Sequence, residues 1–275
     1  KNRITIKGNV ITPEHLLDQY SSDAIRYWAC KARLGTDTAL DESVFSVGQK
    51  LTTKLFNAAK FVCMQLTDMP TVTAEMITEP VDQDWMAHVN AAVLKATQAY
   101  DAFDYATALD TAESLFWTFC DHYIELVKIR AYREENLQKR QSACAALQES
   151  LSRICRLFAP VFPYITEEIW SWRFNNEHAS IHHAPWPAED ELASSDKDQG
   201  IFKLAQLIMA DIRATKTQAQ KSMKYPVKCL SFTASETAVK QCQLAKDDIQ
   251  KAGSVEIFEC FANETVLEPT IVVEL

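Results

Sequence analysis

The sequence predicts a mainly α-helical bundle followed by a small α/β module, and three observations carry that prediction. Apolar residues recur at the 3.6-residue helical spacing through most of the first 220 positions. The 275 residues include only five glycines and nine prolines, few for a chain built on tight turns. Beyond about residue 228, short β-branched and aromatic runs such as Thr270-Ile271-Val272-Val273 take over.

Residues 1–11 alternate weakly and are expected to form a loop or short strand. Thr12-Pro13-Glu14 opens a short helix to about Tyr20, with Thr as cap and Pro at the first helical position. Ser21-Ser22-Asp23 opens the next, which Gly35 is expected to close. A long helix follows over 41–66, with Val44, Val47, Leu51, Leu55, Ala58 and Val62 inward. Another is expected over 82–102, with Trp85, Val89, Ala92, Val93 and Ala96 inward.

The stretch from Asp104 to Arg133 has no Gly or Pro and a wide apolar stripe, so it is read as the central helix of the bundle. A helix over 138–158 is broken by Pro160 and Pro163. Thr166-Glu167-Glu168 is then expected to cap a short helix ending near Trp172. Residues 176–199 are polar and form the expected linker. A helix from 201 to 220, a strand over 228–233, a helix over 235–246 and strands over 254–261 and 264–274 complete the module.

Composition narrows the function. Hydrophobic content of 47% supports a sizeable core. No apolar run approaches the ~20 residues of a membrane span, and no signal peptide is visible, so a cytoplasmic location without membrane contact is expected. Eight cysteines without a C-x-x-C pair suit reduced thiols rather than a disulfide framework. The six histidines show no metal-ligand spacing, and no metal site is expected. A net charge of −9 argues by itself against a nucleic-acid partner. Between Lys203 and Lys228, however, six basic residues face one acid, Asp211. That local face suits phosphates, and it equally suits a solvated helix surface.

No catalytic constellation emerges. Asp121 and Glu125 share a helical face, but His122 points about 100° away. Glu167 and Glu168 sit in a first helical turn, where carboxylates complement the helix dipole. There is no Gly-rich phosphate loop. Trp117 lies among core aromatics and is read as packing rather than base stacking. Asp121 and Glu125 are expected to fix the bundle and, if buried, to pair each with a donor on a neighbouring helix.

KGNVITPEHLLDQYSSDAIRYWACKARLGTD, beginning at Lys7, resembles the segment that follows the KMSKS loop of class I aminoacyl-tRNA synthetases. Residues 54–61, KLFNAAKF, are similar to the K-L-W-N-A motif, with Phe56 where Trp is usual. FWTFCDHYIE, from Phe116, and Ala184-Pro185-Trp186-Pro187 resemble the valyl-tRNA synthetases. The likeness covers residues 1 to about 187 closely and the remainder loosely. It implies a segment of stem-contact-like helices over 1–35, an anticodon-binding bundle over 36–175, a linker over 176–199 and a C-terminal module over 200–275.

The partner so implied is tRNA(Val), met by Arg33, Lys54, Asn57 and Arg130, with Lys216, Lys221 and Lys224 on phosphates. The catalytic domain of such enzymes, with ATP and magnesium, would lie before Lys1, so this chain by itself is expected to be inactive, monomeric and without a cofactor. The KMSKS-like loop is degenerate. Thr5 stands where the family's second lysine meets ATP phosphates, ahead of Lys7, Gly8 and Asn9, and a hydroxyl cannot supply that charge. The alternative is a stand-alone synthetase paralogue that binds RNA or protein without ligase chemistry.

Overall fold

The structure is a computed structural model of the 275-residue chain and describes residues 13–33, 35, 41–69, 71–175, 178–188, 199–266 and 268–275. The side chains of Pro13 and Arg133 also lie outside this description. Thr5, Lys7, Gly8 and Asn9, and the strand or loop expected over 1–11, fall outside it as well.

Two short helices, α1 (Pro13–Gln19) and α2 (Ser22–Lys31), precede the long α3 (Glu42–Gln65). Ser21 and Asp41 cap α2 and α3 through their side chains, as Ser and Asp do at N-termini. Gly35 does not close α2, which ends at Lys31. Gly48 marks the crossing of α2 and α3, since a Cβ there would meet Tyr27 at 3.0 Å and the Ala24 backbone at 3.1 Å. The inward stripe of α3 includes Phe45 and Gly48, while Val47 is exposed, one position away from the expected face.

Next come α4 (Pro80–Asp101), α5 (Tyr105–Thr118) and α6 (Ile124–Arg133). The last two form one helix, interrupted by a π turn at Phe119–Tyr123. Asp104 caps it as expected. Helices α7 (Leu137–Phe158) and α8 (Pro163–Arg173) complete the bundle. Thr166 does not cap α8; its hydroxyl donates to the Phe162 carbonyl inside the helix. Asp23 supplies the cap instead, accepting from the backbone N–H of Tyr164 and of Ile165. Through this cap α2 is tied to α8.

Within the range expected to be a linker, the described residues pack on the bundle. Residues 178–188 dock on the bundle: Ile181 is buried and the Trp186 indole donates to Thr97. Glu167 accepts from the Ser180 hydroxyl and the Ile181 N–H, so it holds this segment rather than serving only the helix dipole. Residues 189–198 lie outside the described region.

The module consists of α9 (Ile201–Gln218), β1 (Val227–Ala234), α10 (Glu236–Gly253), β2 (Val255–Ala262) and β3 (Thr270–Glu274). The sheet order is β2-β1-β3, with β1 and β2 parallel across α10 and β3 antiparallel to β1. Its inner face buries Leu230, Phe232 and Phe258.

Bundle and module share one core. Trp85 on α4 stacks on Tyr123 of the π turn at 4.6 Å and meets Phe202 of α9 edge-on at 4.9 Å. Asp84, next to it, accepts from the Gln199 and Phe202 amides at 2.5 and 2.7 Å and thereby caps α9 from α4.

Candidate nucleic-acid interface

The π turn lies where α3, α9 and the helix α5–α6 converge. Its extra residue widens the helix, and the Asp121 carbonyl accepts from Arg213 of α9 at 2.9 Å. On the other side the Asp121 carboxylate pairs with Lys54 of α3 at 3.2 Å, and the Lys54 ammonium lies 5.6 Å from the centre of the Trp117 ring. Glu125 pairs with Lys128 on its own helix at 2.6 Å. Neither carboxylate is buried, so the donor expected on burial is not required; Asp121 nonetheless meets one on a neighbouring helix, and Glu125 meets one on its own.

A band of polar and basic side chains follows from these contacts. Lys50, Lys54 and Asn57 share one face of α3 at i, i+4 and i+7, with Lys50 and Asn57 exposed. Arg213 continues the band onto α9, and the turn after α9 presents Lys221 and Lys224, both exposed. The Lys221 ammonium lies 4.8 Å from the Tyr225 ring centre. Beside the band, Phe56 meets Trp172 edge-on at 5.2 Å, and both rings are partly exposed.

His122 borders this band and a cleft of about 550 Å³ that Lys203, Gln206, Leu207 and Gln241 also line. Its Nδ1 is buried without a hydrogen-bond partner. Burial, reinforced by the Arg213 charge and opposed by Asp121, holds the imidazole below its ordinary pKa.

Three expected contact residues lie outside the band, and two of them are buried. Arg130 is 3% exposed, and its five N–H donors are engaged: two with Asp82, two with Asp248 and one with the Lys139 carbonyl. It joins α4, α6, α7 and α10 and has no donor left for a phosphate. Lys216 is 1% exposed, and its ammonium donates to the Met223 and Gly253 carbonyls at 2.9 and 2.8 Å. The Lys216 carbonyl in turn accepts from the Lys221 amide at 2.8 Å. Lys216 therefore shapes the turn that presents Lys221 and Lys224.

Arg33 is exposed just after α2. It lies on the side of Asp104, whose carboxyl is held low first by Thr107 hydrogen bonds and further by the Arg33 charge. That end of α5 is roughly 20 Å along the helix from the π turn, so Arg33 does not join the band. Trp117 is half-buried and donates to Glu113 at 3.4 Å. Arg213 belongs to the basic stretch between Lys203 and Lys228, but its contact to a backbone carbonyl leaves no residue-type signature.

Residues 82–231, from α4 into β1, match the family model described as the anticodon-binding domain of tRNA ligase. The chain belongs to this family. It is 39% identical over 251 residues to the valine–tRNA ligase of Thermobifida fusca, covering 90% of this chain and 28% of that protein. It is 38% identical over 284 residues to the valine–tRNA ligase of Salinispora tropica, covering 96% of this chain and 32% of the relative. The corresponding figures for Ehrlichia ruminantium strain Gardel are 40% over 221 residues, 79% and 27%. The chain therefore spans about three tenths of the length of these relatives.

Among solved structures, the crystal structure of the Agrobacterium radiobacter LeuRS–tRNA–LeuAMS ternary complex matches with a TM-score of 0.55. It covers 69% of this chain and 22% of the matched chain at 18% identity, a likeness of fold. The valine–tRNA ligase relatives bear out the resemblance read from FCDHYIE and KLFNAAKF, and the mainly α bundle with its small sheet bears out the fold class. Among the described residues no group of His, Cys, Asp or Glu forms a metal cluster, and no helix is long and apolar enough to cross a membrane.

Proposed function

We propose that this chain is the tRNA-binding, anticodon-recognition part of a valyl-tRNA synthetase, a protein that joins valine to tRNA(Val) at the expense of ATP. The observation that carries the reading is the band from Lys50, Lys54 and Asn57 across the π turn to Arg213, Lys221 and Lys224, held at three points by contacts between helices. Cations in such a band neutralise phosphates, while exposed rings and amides meet unstacked bases. Lys54, Lys221 and Lys224 serve the backbone, and Asn57 serves a base edge. Asp121 keeps Lys54 extended over Trp117, and Lys216 positions the lysine turn. Arg33, at the far end of α5, is assigned a separate contact to the tRNA body.

ATP and magnesium belong to the proposed whole enzyme, and no residue described above is assigned to either. The basic side chains of this band offset the chain's net charge of −9 locally. The free cysteines suit a reducing, cytoplasmic location. The proposed state is a monomer. A salt titration with two tRNAs tests the reading: a tRNA with a valine anticodon binds more tightly than one with an unrelated anticodon at every ionic strength. Equal affinities throughout would reject it.

A further inference from the structure

The described cysteines are all free thiols, and one pair stands apart from the others. Cys242 on α10 and Cys260 on β2 have Sγ atoms 3.9 Å apart, in hydrogen-bonding contact. Both lie where α10 covers the inner face of the sheet, next to the buried Phe258. Cys242 is fully buried, whereas Cys260 is half-buried on an edge strand, where a small solute can reach it.

We propose that Cys260 and Cys242 form a reversible thiol–disulfide pair, with Cys260 the sulfur that a hydroperoxide oxidises and Cys242 the sulfur that resolves it. For the bond to form, the Sγ gap must close from 3.9 Å to about 2 Å. The environment favours the assigned order. The hydrogen bond from Cys242, aided by the charge of Lys246, holds the Cys260 thiol below the ordinary range. The same bond and burial push Cys242 up. Lys246 is fixed there by its position over the Phe258 ring, 5.5 Å from the centre. By contrast, burial raises Cys30 and Cys63, the half-buried thiols of the bundle.

The steps balance as follows. The Cys260 thiolate attacks one peroxide oxygen; the O–O bond breaks, an S–O bond forms and hydroxide leaves. The sulfur is oxidised by two electrons and the peroxide is reduced. Cys242 Sγ then attacks Cys260 Sγ; the S–S bond forms, the S–O bond breaks, and the hydroxide departs as water with the Cys242 proton. A dithiol reductant reverses the product. The closed bond ties α10, which carries Asp248, to the edge strand.

The test exposes the full 275-residue chain to hydrogen peroxide, then blocks thiols and maps peptides without reductant. The expected product has a Cys242–Cys260 linkage, two fewer free thiols and a mass lower by two hydrogens, all restored by dithiothreitol. In Cys242→Ser, Cys260 is expected to stop at sulfenic acid and be trapped by dimedone; in Cys260→Ser, Cys242 stays reduced. Oxidation of Cys30, Cys63 or Cys229 as fast as Cys260 would overturn the proposal. So would absence of the linkage in wild-type chains, or of the Cys260 adduct in Cys242→Ser, where circular dichroism remains helical.

Discussion

Arg130 on α6 grips Asp248 on α10 through two hydrogen bonds of 2.9 and 3.1 Å, while its other edge holds Asp82 of α4 through two of 2.7 Å. One guanidinium therefore carries two buried carboxylates, one from the bundle and one from the module. Such bidentate geometry is the arrangement in which Arg is not replaceable by Lys. The relative placement of α6 and α10, and with it the course of the basic band, depends on this contact.

Removal of the guanidinium leaves two buried carboxylates without their counter-charge. Arg130→Leu is expected to lower the unfolding free energy by about 3–5 kcal/mol in urea titrations. A change within ~0.5 kcal/mol would show that the network contributes nothing to stability.

Tyr123 donates its hydroxyl to Asp82 at 2.7 Å from inside the π turn, where its ring stacks on Trp85. Tyr123→Phe keeps the ring and deletes the donor. The expected loss is about 1.5–3 kcal/mol, since the acceptor is buried and also pairs with Arg130.

Lys216 and Lys221 separate a positioning role from a contact role. Lys221→Ala or Lys224→Ala is expected to leave thermal stability unchanged, weaken RNA binding and reduce the salt slope by roughly one per lysine. Lys216→Met is expected to lower stability as well as affinity, because two carbonyls lose their buried donor. Equal salt slopes for wild type and Lys221→Ala would place the RNA elsewhere.

His122 sets a pH dependence. Its folded pKa is depressed by burial, so the unfolded chain takes up the proton first as pH falls. Stability associated with a neutral His122 is thus present above the unfolded pKa of about 6.5 and is lost as pH drops through the lower folded value. His122→Asn is expected to flatten the fall in melting temperature between about pH 7 and 5. A parallel fall in both proteins would show that His122 does not titrate against folding.

Local features were the ones legible in the sequence. The helix from Asp104 to Arg133 could be read from its apolar period and cap, and most other helix bounds followed from Pro, Ser and Asp at N-termini. The π turn could not, because Phe116, Phe119, Tyr123 and Val127 have spacings that an unbroken helix also shows. The burial of Arg130 was illegible for a different reason: Asp82 lies 48 residues before it and Asp248 118 residues after it. The cap of α8 was misassigned to Thr166 because the true cap, Asp23, reaches Ile165 from 142 residues away. In the band, the basic residue types of Lys54, Lys221 and Lys224 were visible, while the Arg213 link to a backbone carbonyl had no counterpart in the pattern.

The most direct test of anticodon recognition is an anticodon transplant, with the dissociation constant measured at one fixed salt concentration for two tRNAs identical outside the anticodon. The account predicts that installing the valine anticodon in an otherwise unrelated tRNA tightens binding by about tenfold or more, the equivalent of at least one base contact of ~1.4 kcal/mol. Identical dissociation constants for the two tRNAs would contradict it.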